Sequence, residues 1–363
     1  MKKINLILVT LVFTLASCQQ SKNIDPNKIT HISNENIPPL QQVDFEIIDL
    51  PEDECMNSTF FVYQDTILII RPSMGHGKYN MIVMNMNTKK IVGKYLKRGN
   101  GPGEVLVCDF DLRQNRFIAN DILAKRLIFF NLDSLLIEGQ KYNPQVILPR
   151  FDFVSDDKLS DTSFIFLNGW YMDGCGVKEN ENAQELLVSE IDHEVDYKDP
   201  QKVASVFSII SGTAVLSNIE KQKVFITYSY KPQFTLLNSN LDTLKVIYGP
   251  DPFIKQKYKR KDFYVLSNTY SYYVLWPVIS TDSYIFACSP RIQNIPKTKI
   301  LETTRKRRDE IYKFDWNGNM VARYQMENKM RFFSAAGYSE KTNTFYFCAK
   351  DENDEVHLCK AQL

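Results

Sequence analysis

The chain has 363 residues, 44% of them apolar, with 44 Lys and Arg against 43 Asp and Glu and a formal net charge of +1. That balance excludes a global electrostatic field of the kind that recruits nucleic acid or an anionic membrane surface, so no nucleic-acid partner is expected. The apolar fraction is enough for a sizeable core, and the 19 Tyr and 23 Phe favour strands.

Residues 1–17 read as a targeting segment. Lys2 and Lys3 supply a positive start, and Ile4–Ala16 an apolar run. That run is too short to cross a bilayer comfortably, which takes about 20 residues. It ends in Leu15-Ala16-Ser17-Cys18, which resembles the lipobox read by the lipoprotein signal peptidase. Small side chains at Ala16 and Ser17 fit a narrow protease cleft, and the Cys18 thiol can carry a diacylglycerol. The first expected partner is therefore membrane lipid, through acylated Cys18. Each buried methylene contributes roughly 0.8 kcal/mol, and stable anchoring takes more than one acyl chain. Gln19 rather than Asp follows the cysteine, and no acidic run comes after it. By resemblance to Gram-negative sorting rules, this implies an exported protein anchored in the outer membrane and facing the periplasm. No later stretch reaches eighteen apolar residues, so no transmembrane helix is expected. Residues 18–42, rich in Gln, Asn, Ser and Pro, read as a flexible lipidated tether.

From Val43 to Leu363, short apolar runs alternate with turn residues, the pattern of an all-β body. One unit recurs, a strand, a tight turn and a second strand, over 81–95, 126–138, 186–195, 233–246 and 310–324. A truncated copy covers 355–362. Before these lie six comparable inner strands: 66–71, 115–119, 163–167, 224–228, 284–288 and 344–348. The prediction is a six-bladed β-propeller of four-stranded antiparallel blades over 43–363, each blade longer than the roughly 40–50 residues such blades use. Long loops at Asp173–Ala183, Asp251–Asp262 and Ser289–Asp309 account for the extra length. The last copy stops early, and closure removes exposed sheet edges. The strand Phe45–Leu50 is therefore predicted to complete the last blade.

The segment Arg98-Gly99-Asn100-Gly101-Pro102-Gly103-Glu104, after the first hairpin, resembles the RGxGPGE segment of TolB-like six-bladed propeller lipoproteins of Gram-negative bacteria. The lipobox and the strand spacing extend the likeness over most of the chain. The resemblance implies a six-bladed fold and no particular activity.

The glycines of this segment superficially suggest a phosphate cradle, but such a loop opens a helix. Here Pro102 interrupts the glycines, Glu104 adds negative charge and a strand follows. Arg98, Gly99, Gly101, Pro102, Gly103 and Glu104 are therefore read as a structural connector, with Arg98 and Glu104 expected to pair across it. The four histidines form no HxH or HExxH pattern and no cluster with cysteine, so no metal site or cofactor is expected. His76, in Gly75-His76-Gly77, and the aromatics Trp170, Tyr171 and Trp276 are candidate ligand-facing residues; a solvated loop and ordinary core packing are the competing readings. The basic stretch Lys297–Arg308 suits either an anionic partner or a solvated lip. Beyond Cys18 there are six irregularly spaced cysteines, and Cys288 and Cys348 read as small buried hydrophobes. A Cys348–Cys359 disulfide across one hairpin is left open. No catalytic residue stands out. The expected function is a membrane-anchored binding or scaffold module, its partner an envelope protein or glycan. The alternative is a lactonase- or lyase-like enzyme acting on a carbohydrate-derived substrate.

Overall fold

The computed structural model describes residues 25–33, 35–51, 58–73, 77–113, 116–121, 123–124, 126–147, 153–158, 163–168, 174–179, 182–187, 213–228, 233–240, 242–249, 258–261, 263–266, 269–272, 276–289, 292–296, 310–326 and 330–363. They form an all-β propeller built from four-stranded antiparallel meanders. The 59–97 meander shows the pattern: Thr59–Tyr63, Ile67–Arg71, Tyr79–Asn85 and Lys90–Lys97 pair in chain order. Meanders over 108–147, 153–187, 213–248, 276–326 and 331–362 repeat it. The six inner strands read from the sequence are the second strands of these units, among them Ile67–Arg71, Lys223–Tyr228 and Thr344–Lys350.

Six separate blades were expected, and the strands instead form five sheets of four or more strands. Ser280 pairs in parallel with Arg113, so the innermost strands of the 108–147 and 276–326 meanders share one nine-stranded sheet. The closing strand lies where it was expected: Phe45–Ile47 pairs antiparallel with Val356–Gln362 and completes the last sheet.

The tether requires correction. Ile29–His31 adds in parallel to the outer strand Thr243–Tyr248, and Leu40–Val43 to the outer strand Met320–Met326. Outer strands carry unpaired N–H and C=O groups, and an extended polar segment satisfies them.

Two further expectations shift. The 126–138 copy is not a hairpin: Arg126–Asn131 is a strand, and Leu132–Glu138 is a seven-residue helix. The Asn131 side chain accepts from Ser134 N, Leu132 and Leu135 are buried on one face, and Gly139 caps the end at φ 57°. Most of the expected 186–195 copy lies outside the described residues; the structure pairs Gly174–Glu179 with Asn182–Leu187, so the expected loop Asp173–Ala183 is largely strand. Gly174 and Gly176 hid this strand, because glycine carries no strand signal.

The cores lie between neighbouring meanders. Phe61, Phe117, Phe130 and Tyr95 pack between the 59–97 and 108–147 units. Phe225, Phe234, Phe314 and Trp316 fill the next such layer, with Phe234 and Phe314 centroids 4.7 Å apart. Gly337 lies against the 59–97 unit, where a Cβ would stand 2.1 Å from the Val62 carbonyl oxygen.

Candidate functional site

An antiparallel meander puts alternate connections at opposite ends. At one end are the tight turns 64–66, 219–222, 281–283 and 340–343. They bind one another. Asp65 accepts from Ser339 Oγ at 2.6 Å, Tyr346 OH at 2.7 Å and Thr342 Oγ1 at 3.0 Å. Glu340 accepts from Thr281 Oγ1 and, at 2.9 Å, from both Ser283 N and Ser283 Oγ. Asn218 Nδ2 donates to the Asp282 carbonyl at 3.1 Å, and Trp316 Nε1 to the Thr281 carbonyl at 2.9 Å. This end spends its polar groups on holding meanders together.

The other end carries the connections 72–78, 98–107 and 122–125, and three arginines gather there. Arg98 Nε donates to Asn80 Oδ1 at 3.0 Å, while Asn80 Nδ2 donates to the Val105 carbonyl at 2.6 Å. Arg126 Nε donates to Asp121 Oδ2 at 2.8 Å, and its Nη2 to the Glu104 carbonyl at 2.6 Å. Arg71 pairs with Asp109 at 3.1 Å and lies over the Phe110 ring at 5.7 Å. Nη1 of Arg98 is buried without a hydrogen-bond partner among the described residues. Cys108 lies among these groups at 3% exposure, and burial pushes its thiol up to about 12 against the pull of Arg71. That thiol is a neutral small hydrophobe, since nucleophilic cysteines have lowered values.

The Gly99–Gly103 segment joins the 59–97 and 108–147 meanders, and its ion pair differs from the expected Arg98–Glu104 pair. Glu104 pairs with Lys97 at 2.6 Å and accepts from Gly101 N at 2.9 Å, and Lys97 holds the Glu104 carboxyl below the usual carboxylate range. Arg98 turns to Asn80. The Glu104 side chain explains the glycines beside it: a Cβ on Gly99 would stand 2.0 Å from Oε2, and one on Gly101 3.0 Å. Gly103 adopts φ +79°, a conformation glycine tolerates best.

Of the other candidates, Cys18, His76, Trp170, Tyr171 and the basic stretch 297–308 lie outside the described residues. Trp276 opens the innermost strand Trp276–Ser280, in register with Cys288. The sequence reading missed Arg71, Asn80, Asp121 and Arg126. Asn80 and Asp121 left a signal, as polar residues within apolar strands; both are buried. Asp351, Glu355 and His357 place one ligand-type atom each within 4.8 Å of one another. They occupy a hairpin turn in which Asp351 already accepts from Asn353 N, Glu355 N and the His357 ring, so their arrangement is accounted for by the turn.

Cys108, Cys288, Cys348 and Cys359 are buried, and none of Cys108, Cys348 and Cys359 is in a disulfide. Cys348 stands opposite Leu358 and Cys359 opposite Phe347. That one-residue offset sends the two thiols to opposite faces of the sheet and rules out the Cys348–Cys359 bridge.

No family model matches the chain, and no curated protein matches it. Among solved structures it is similar to a protein of Bacteroides fragilis described as exported, with a TM-score of 0.52 and 11% identity over 92% of this chain and 99% of that one. It is equally similar to a member of the DUF4221 family from Bacteroides vulgatus, with a TM-score of 0.52 and 8% identity over 90% of this chain and 98% of that one. At such identities the likeness shows the fold alone.

Proposed function

We propose that the protein is an exported, lipid-anchored propeller that binds a partner through the end carrying the Gly99–Glu104 connector. The observation that carries this reading is the buried Nη1 of Arg98, which has no hydrogen-bond partner among the described residues and lies at the same end as Arg71 and Arg126. A guanidinium with a free donor in a low-dielectric setting suits a carboxylate or another planar anion. The partner is accordingly an envelope protein or glycan presenting an anionic group. The lipobox at Leu15–Cys18 and the likeness to a Bacteroides protein described as exported support the placement. The outer membrane, on its periplasmic side, fits the Gln19 after the acylated cysteine. The Arg98–Glu104 segment supports kinship with TolB-like lipoproteins.

The test is affinity capture from detergent-solubilised membranes with the lipidated protein as bait, followed by identification of what is retained. A specific partner is expected, with its recovery reduced severalfold by Arg98→Gln. Capture of nothing, together with turnover of a lactone or sugar acid by the purified protein, defeats this reading in favour of an enzyme.

A further inference from the structure

The strap formed by residues 25–47 carries information about orientation. Its first contacts are all with one edge of the 213–248 meander. Lys28 Nζ donates to the Thr243 carbonyl at 2.5 Å, and Lys28 N closes a turn on the Asp25 carbonyl. Ile29, Thr30 and His31 then pair with Val246, Ile247 and Tyr248, His31 stacks on Tyr248, and Ile32 N donates to the Tyr248 carbonyl at 2.7 Å. Ile32 is buried in the core of that unit. Beyond it, Gln42 Nε2 donates to Gln325 Oε1 at 2.8 Å, and Phe45–Ile47 is locked into the last sheet. The strap is therefore fixed to the body at 25–32 and again at 40–47.

Seven peptide units separate Cys18 from Asp25. Fully extended they reach at most about 25 Å. Asp25 precedes Ile29, which pairs in parallel with Val246, and Lys28 bonds Thr243, so the strap starts beside the tight turn after Asn238, at the end of the strands where the turns bind one another. We propose that this tight-turn edge of the 213–248 meander is the bilayer-facing side of the molecule, which leaves the Gly99–Glu104 end pointing away from the membrane. The inference rests on the reading of Cys18 as the lipidated residue. Lys28, Lys221, Lys223 and Lys245 at this edge are interspersed with Asp25, Glu220 and Asp242, too near balance for charge to draw it to the surface. The acyl chains hold it there, and the fixed strap sets which edge they hold.

The test uses the full-length lipidated protein in phosphatidylethanolamine–phosphatidylglycerol vesicles containing an acceptor-labelled lipid. A donor dye is placed by amber suppression at Asn240, in the tight turn, or at Leu123, at the opposite end of the 108–147 meander. Both sites are exposed. Energy transfer is expected to be severalfold stronger from 240 than from 123. A flexible Gly/Ser insert of about 30 residues between Lys22 and Asn23 should abolish that difference, since the reach of such a linker grows with the square root of its length. Equal transfer from the two sites, in protein that floats with the vesicles and carries acyl mass on Cys18, overturns the orientation while sparing the anchor. Absence of acyl mass on Cys18 overturns both.

Discussion

Buried polar side chains hold the 59–97 and 108–147 units together at the candidate site. Asp121 is 2% exposed and relies on Arg126, itself only 19% exposed. Removing the guanidinium leaves a buried carboxylate with only the Ala124 N–H and no positive charge beside it, a loss that costs about 3 kcal/mol at the low end for buried pairs. Arg126→Ala is therefore expected to lower the urea midpoint by that equivalent. Arg126→Lys should recover little, because the two bonds leave from separate nitrogens of a planar fork that a single ammonium nitrogen does not reproduce. Lys313 illustrates another residue-scale device. It is 8% exposed, with Nζ 4.0 Å from the Tyr284 ring centroid and donating to Tyr338 OH at 3.1 Å, so aromatic faces stand where a carboxylate is usual. Glu340 gives a pH dependence. Burial alone would raise its carboxyl, but hydrogen bonds from Thr281 and Ser283 outweigh burial and hold it below its ordinary value of 4.5. A lowered folded-state value contributes stability that is present above 4.5 and is lost as pH falls through the folded value. Thermal melts of the native chain should thus decline below about pH 4.5 more steeply than those of Glu340→Gln.

Among the elements, the strap is the one whose role depends on a single glycine. Gly249 adopts φ +107°, and a Cβ there would stand 2.3 Å from the Ile32 carbonyl oxygen. Gly249→Ala adds conformational strain of roughly 1–2 kcal/mol before the clash is counted. Limited proteolysis should then cut within residues 25–43 of the variant while sparing the native chain; equal resistance would show that the strap tolerates the change. The elements also show how far periodicity reaches. Alternation in 233–246 and 310–324 located true strand pairs, at Gln233–Asn238 with Thr243–Tyr248 and Glu310–Asp315 with Met320–Met326. It failed at 126–138, where Leu132 and Leu135 at helical spacing sit behind an Asn cap. Over so few residues an apolar run fits either period.

For the whole molecule, attachment and folding are separable. No described helix is long and apolar enough to cross a membrane. The sheets are built from residues far from Cys18, so Cys18→Ser should yield protein that folds with unchanged melting yet leaves the membrane fraction. A variant that stays in that fraction would sink the anchor. Burial in the cores pushes the Cys348 thiol up to about 11 and the Cys359 thiol up to about 12, so both stay protonated at neutral pH.

The sequence by itself determined the all-β class, the repeating strands and the strand that closes the last sheet. These depend on local chemistry: alternation and turn residues. The tertiary structure decided the rest. A polar segment such as Ile29–Val43 reads as a linker until unpaired sheet edges are there to receive it, and which cation answers Glu104 depends on where Asn80 stands. The count of separate sheets turned on Ser280 meeting Arg113, a contact between residues far apart in the chain that no local pattern encodes.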